Sequence, residues 1–167
     1  MEGNIPEGVN KAVLIGGAHT SNWDLLYSLG TMYVLDRQFK FLIKKEALVF
    51  PIKNFLLSLG AWPIDRSKKA KTNYVDQLAG YFKQSEECFL CIATEGTRKA
   101  VKKWKSGYYH IAQKAKVPVI VCYLDYKNKV GHIGKMLAMD LTEEESMRQM
   151  KEELHKARPL IPENFAY

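Results

Sequence analysis

Short, nearly unbroken apolar runs recur along this chain and alternate with stretches of helical periodicity. Ala12-Val13-Leu14-Ile15, Phe39-Lys40-Phe41-Leu42-Ile43, Phe89-Leu90-Cys91-Ile92-Ala93 and Val117 to Leu124 each have the length of a strand. A run without polar alternation fits a strand buried on both faces. Between them, Leu25, Leu26, Leu29, Met32 and Tyr33 are spaced for one apolar helical face. Val75, Leu78, Ala79 and Phe82 mark a second such face, and Tyr108, Ile111, Ala112 and Ala115 a third. Strands alternating with helices predict an α/β fold with a mostly parallel central sheet flanked by helices. At 167 residues, one domain over 1–167 is expected, long enough to bury a real core.

Local signals place the boundaries. Gly16 and Gly17 are expected to end the first strand in a tight turn. Ser21 reads as a helix N-cap, with Asp24 three residues on as in a capping box. Pro51 opens a short helix, Ile52 to Leu59, which Gly60 closes. Its Phe55, Leu56, Leu57 and Leu59 are expected to pack into the core, with a wall for a lipid chain or a face resting on a membrane as the alternative. Pro63 makes Ala61 to Arg66 an edge strand. Thr72 caps the next helix. Val130 to Ile133 and Met136 to Met139 are two weaker strand candidates. Thr142 and Glu145 form a capping box for a last helix through Met147, Met150 and Leu154.

The net charge of +7 favours an anionic partner: phosphate groups, an acidic carrier protein, anionic lipid or nucleic acid. No apolar run reaches the ~18 residues of a membrane-spanning helix. Met1 to Gly8 has neither the basic nor the apolar part of a signal peptide. Three cysteines without such a signal point to a reducing compartment. Cys88 and Cys91 have C-x-x-C spacing, but no second Cys or His pair completes a zinc site, so structural cysteines and no metal are expected.

The polar residues that interrupt this pattern follow the strands. His19 lies on the loop after the first run, and Asp24 in the first turn of the next helix. A carboxylate folded back onto one ring nitrogen fixes the tautomer and leaves the other nitrogen free as a base. His-x4-Asp by itself is a weak signal. Arg66 follows another strand, and Glu95-Gly96-Thr97-Arg98 another. Gly96 allows backbone amides to turn towards an anion, and Arg98 offers a bidentate fork. In a parallel sheet all three groups gather on one edge, where such folds bind ligands.

Four blocks in order now become specific: His19 to Asp24, Gly60 to Arg66, Thr94 to Arg98, and Val117 to Val121. Together they resemble the glycerolipid acyltransferase family that includes lysophosphatidic acid acyltransferase. Ala18 stands where that family usually has Asn, and Thr94 where it usually has Pro. Only eleven residues precede Ala12, against the membrane-embedding segments of many members, so a short form is expected. The resemblance implies transfer of an acyl group from acyl-CoA or acyl-carrier protein to a lysophospholipid-type hydroxyl in phospholipid biosynthesis. It implies His19 as general base, Asp24 as its orienter, and Arg66, Glu95, Gly96, Thr97 and Arg98 around the acceptor's polar head. Glu95 would orient Arg66 or Arg98, or a glycerol hydroxyl. Amides at the start of the helix after His19 are candidates for the oxyanion hole. No metal or redox cofactor is implied.

Two other readings stand beside it. The same base activates water in a thioester or phosphoester hydrolase, although no Gly-x-Ser-x-Gly elbow is present. The basic run from Arg98 to Lys116, with Trp104, Tyr108 and Tyr109, fits a non-catalytic module for anionic lipid or for nucleic acid, yet it matches no nucleic-acid motif. An acyltransferase of this type is expected in the cytoplasm, held peripherally at the inner face of an anionic membrane, with no nucleic-acid partner.

Overall fold

A computed structural model describes residues 1–64 and 74–165. Arg66, Thr72 and the lysines at 68, 69 and 71 lie outside the described residues. The six strands are β1 (Lys11–Gly17), β2 (Phe39–Lys44), β3 (Ala61–Ile64), β4 (Cys88–Ile92), β5 (Val119–Asp125) and β6 (Val130–Leu137). They form one sheet in the order β3-β2-β4-β1-β5-β6. Every neighbouring pair is parallel except β5 and β6. The helices are α1 (Trp23–Val34), α2 (Ile52–Ser58), α3 (Tyr74–Gln84), α4 (Gly107–Ala115) and α5 (Glu143–Leu154). The α/β class follows the alternation of apolar runs, and β3, with its proline, is an edge strand.

The two-residue period of β1 sorts the core into two layers. Val13 and Ile15 face a cluster with Leu78 and Phe82 of α3, Tyr108 and Ile111 of α4, and Met150 and Leu154 of α5. Ala12 and Leu14 face the other side, with Met32, Phe39, Phe41, Phe89, Ile120 and Ile133. Phe82, Tyr108 and Leu154 are at most 1% exposed. The Thr142 capping box forms as expected: Glu145 N–H donates to Thr142 Oγ1, and Thr142 N–H to Glu145 Oε2.

Several local expectations are corrected. Gly16 and Gly17 sit inside β1 rather than in a turn, paired with Cys122 and Tyr123. Their lack of a Cβ serves close packing instead. A Cβ on Gly16 would meet Cys91 Sγ at 2.8 Å, and one on Gly17 would meet Leu154 at 2.8 Å. Asn22, not Ser21, occupies the N-cap of α1. Only part of α1's apolar stripe faces inward: Met32 is buried, whereas Leu26 and Tyr33 are 55% and 86% exposed. No residue of α2 is fully buried, which overturns its assignment to the core. Leu56 and Leu59 lean on the sheet, while Phe55 and Leu57 face outward. The two weak strands past Val130 are one strand, β6, turned back by a hairpin. Asp125 fixes that turn by accepting from both Asn128 N–H and Asn128 Nδ2–H at 2.8 Å.

Candidate active site

His19 leaves the C-terminal end of β1, and Asp24 lies in the first turn of α1. Asp24 Oδ2 approaches His19 Nδ1 at 3.2 Å. The same oxygen accepts the backbone N–H groups of Thr20, at 2.7 Å, and Ser21, at 2.8 Å. Asp24 Oδ1 accepts the Tyr126 hydroxyl at 2.7 Å. This reach back to Ser21 is half of the expected capping box. The other half differs, because Ser21 Oγ accepts from Trp23 N–H, two residues on. Burial by itself raises the Asp24 pKa, but the hydrogen bonds from His19, Ser21, Tyr126 and Thr20 outweigh it and hold it below the usual 3.8. The carboxylate therefore stays charged beside the imidazole. The Asp24 side chain is 8% exposed and that of His19 31%, so the ring alone can reach a substrate.

Glu95 is placed differently from the expectation. It is 4% exposed, and its Oε1 accepts His19 N–H at 3.0 Å; among the described residues it holds no arginine. Its Oε2 and Thr94 Oγ1 are buried with no hydrogen-bond partner among the described residues. Burial pushes the Glu95 pKa up, against the lowering effect of the His19 amide. Glu95 thus props the backbone of the histidine loop from the end of β4, the neighbouring parallel strand.

Gly96, Thr97 and Arg98 line the mouth of a cavity together with His19. Gly96 has φ +66°, and the side chain of Lys105 lies where a Cβ would project. The Arg98 guanidinium donates to Asn22 Oδ1, which ties the Glu-Gly-Thr-Arg loop to the start of α1. His19, Glu95, Gly96, Thr97 and Arg98 therefore gather at one sheet edge; Arg66 lies outside the described residues. The amides proposed for an oxyanion hole are largely in use: Thr20 and Ser21 N–H go to Asp24, and Trp23 N–H to Ser21.

The cavity, about 680 Å³, runs from this mouth beneath α1 and along the sheet. Its walls include Leu14, Met32, Phe39, Phe41 and Ile133. Its floor is low around Gly16 of β1, which pairs with Cys122 of β5 and is approached diagonally by the Cys91 side chain of β4. The cysteines are thus cavity-lining as well as structural. Burial pushes the Cys91 thiol up to about 12 and that of Cys122 higher still. Both remain protonated and poorly nucleophilic. Among the described residues no group of His, Cys, Asp and Glu could hold a metal ion.

Sequence reasoning missed Tyr126, Asn22 and Lys105. Tyr126 had a usable signal, because it directly follows a parallel strand, as His19 and Glu95 do. The base-stacking alternative loses two of its rings: Trp104 is 6% exposed and packs on Phe165, and Tyr108 is wholly buried.

No curated protein and no solved structure gives a significant match to this chain. A family model described as Acyltransferase matches residues 2–125. That segment carries β1 to β5, the His19–Asp24 pair and the Glu95 to Arg98 loop, in the order its four blocks implied. The chain belongs to the acyltransferase family.

Proposed function

We propose that this acyltransferase moves a fatty acyl group from the thioester of acyl-CoA or acyl-carrier protein to a hydroxyl of a lysophosphatidic acid-like acceptor, as a step in phospholipid biosynthesis. The observation that carries this reading is the His19–Asp24 contact at the mouth of an apolar cavity. With Nδ1 held by the carboxylate, Nε2 is the free base. It removes the acceptor's hydroxyl proton as that oxygen attacks the thioester carbon. The tetrahedral oxyanion then collapses, the C–S bond breaks, and the departing thiolate takes the proton from His19. No acyl-enzyme is needed, which suits a cavity whose cysteines are held protonated.

The cavity's volume falls within the roughly 300–1,000 Å³ of small-molecule sites and suits a flexible acyl chain. Arg98, with Gly96, Thr97 and Arg66, would receive the acceptor's phosphate, and Lys105 adds a cation beside Gly96. Purified protein given radiolabelled acyl-CoA and lysophosphatidic acid should produce phosphatidic acid and free CoA in equal amounts. Release of free fatty acid at the same rate with and without the acceptor would instead mark a hydrolase.

The proposed setting is the cytoplasmic face of an anionic membrane. No helix among the described residues is long and apolar enough to cross one. Phe50, Phe55 and Ile52 are 94%, 62% and 48% exposed, and the same stretch of chain exposes Lys44, Lys45 and Lys53 against one acid, Glu46. An apolar knob with a basic rim fits an anionic lipid surface, each well-placed lysine contributing about 1 kcal/mol. Lys44 also lines the cavity, so this surface adjoins the site. In sedimentation assays the protein should bind vesicles containing phosphatidylglycerol, release them as salt rises, and ignore neutral vesicles. Equal failure with both at low salt would favour a soluble acceptor.

A further inference from the structure

The two oxygens of Asp24 are held by different parts of the chain. Oδ2 faces His19 and is fixed by the Thr20 and Ser21 amides, all local to one loop. Oδ1 is held by Tyr126, 102 residues away in sequence. Together with the side-chain carbon, the two oxygens of a carboxylate define its plane. The local amides alone fix one oxygen and leave the plane free to swing about it. The tyrosine supplies the second point, and so sets the direction from which Oδ2 meets the imidazole.

Tyr126 is itself anchored from three sides. It continues β5 directly after Asp125, whose carboxylate locks the hairpin turn. Its N–H donates to Arg158 O at 2.9 Å, in the segment after α5. Its ring meets the edge of Tyr27 on α1, with centroids 5.4 Å apart and planes at 85°. Burial and the bond to Asp24 raise its hydroxyl far above the ordinary tyrosine range, so it remains a neutral donor. Asp24 lines the cavity, whereas Tyr126 is not among the lining residues and stands behind the carboxylate it bonds. It also lies just past residues 2–125, the segment matched by the family model.

We infer that Tyr126 is a positioning residue: through Asp24 Oδ1 it aligns the His19 imidazole for proton transfer. This rests on the reading of His19 as the base. The test compares wild type, Tyr126→Phe and Tyr126→3-fluorotyrosine. Tyr126→Phe removes only the hydroxyl. Its kcat should fall roughly ten- to a hundredfold, as for a slightly misaligned reacting group. KM for acyl-CoA and for lysophosphatidic acid should stay within about twofold, because no substrate contact is lost. The fluorinated tyrosine keeps ring and donor, and should restore kcat. In ¹⁵N-labelled protein, the His19 ring resonances should move in Tyr126→Phe and stay near wild type in the fluorinated variant. That spectrum is read without substrate, so it tests the alignment even if the wild type transfers no acyl group, which would instead overturn the proposed reaction. An unchanged His19 spectrum in Tyr126→Phe would overturn the inference. So would a kcat loss that tracks a lowered melting temperature with the ring resonances unmoved.

Discussion

The two faces of the sheet are built differently. On one, three helices cover β1, β4 and β5, and the side chains from Val13, Ile15, Phe82, Tyr108 and Leu154 interlock with almost no exposure. On the other, α1 leans over a floor of Gly16, Cys91 and Cys122 and leaves a cavity open at the strand ends. Its outer residues, including Leu26, Tyr27 and Tyr33, are exposed. Both faces are lined by apolar residues, so hydrophobicity does not separate them. Side-chain volume does: bulk on both partners gives a close-packed layer, while small residues under a single helix leave room for a ligand. The first face holds the close-packed core, and the second holds the candidate site.

The sharpest way to break this contrast is at His19. His19→Ala should lower kcat roughly 10²–10⁴-fold. Its melting temperature should hardly move, because the ring's one polar contact among the described residues is with Asp24. Asp24→Asn should lose activity too, and also stability. An amide has a single acceptor oxygen, so the Thr20 and Ser21 amides or the Tyr126 hydroxyl must face an NH₂ group. Steady-state kinetics and urea unfolding on both variants check the pair. Near-normal turnover in either would end the base assignment.

The packed face predicts the opposite pattern. Phe82→Ala should cost about 3–5 kcal/mol of unfolding free energy, since Phe82 is 1% exposed in a layer that cannot collapse. The fraction that remains folded should keep its KM. Chemical denaturation combined with kinetics at low temperature separates the two effects. A loss confined to activity would mean that the faces are not divided as described.

Filling the open face should change selectivity before stability. Gly16→Ala drives a methyl group against Cys91 Sγ, and the cavity must narrow there or the strand must shift. The rate with long acyl chains should fall several-fold against short ones, with a cost of about 1–3 kcal/mol for overpacking. Competition between short- and long-chain acyl-CoA measures the ratio. An unchanged chain profile would place the acyl group elsewhere.

The smallest effect concerns pH. The two carboxylates of the site act with opposite signs. The Asp24 pKa is lowered on folding, so its contribution to stability is present above about 3.8 and fades as pH falls through the folded value. The Glu95 pKa is raised, so stability declines as pH rises above the ordinary 4.5. Glu95→Gln keeps an acceptor for His19 N–H and should flatten that decline. Urea unfolding between pH 4 and pH 7 reads it, and a slope unchanged from wild type would remove Glu95 as its source.

Much of this was legible in the sequence because it depends on local regularities. Unbroken apolar runs identified β1, β2, β4 and β5, and helical spacing identified α3, α4 and α5. The His-x4-Asp spacing brought its two side chains together because one loop and one helical turn are enough to close the distance. Other features depend on what packs against what. Whether a glycine makes a turn or a close approach is set by its neighbour across the sheet, as Cys91 is for Gly16. Phe55 and Leu57 of α2 face outward while Leu56 leans on the sheet, a split that apolar composition does not encode. Glu95 found the His19 amide, and Tyr126 found Asp24, across 76 and 102 residues. The sequence by itself therefore determined the class of fold, the order of its strands and helices along the chain, and the residues at the strand ends. Only the tertiary structure decided which face holds the cavity and which distant groups fix the histidine, because no local spacing encodes the partner that folding brings from far along the chain.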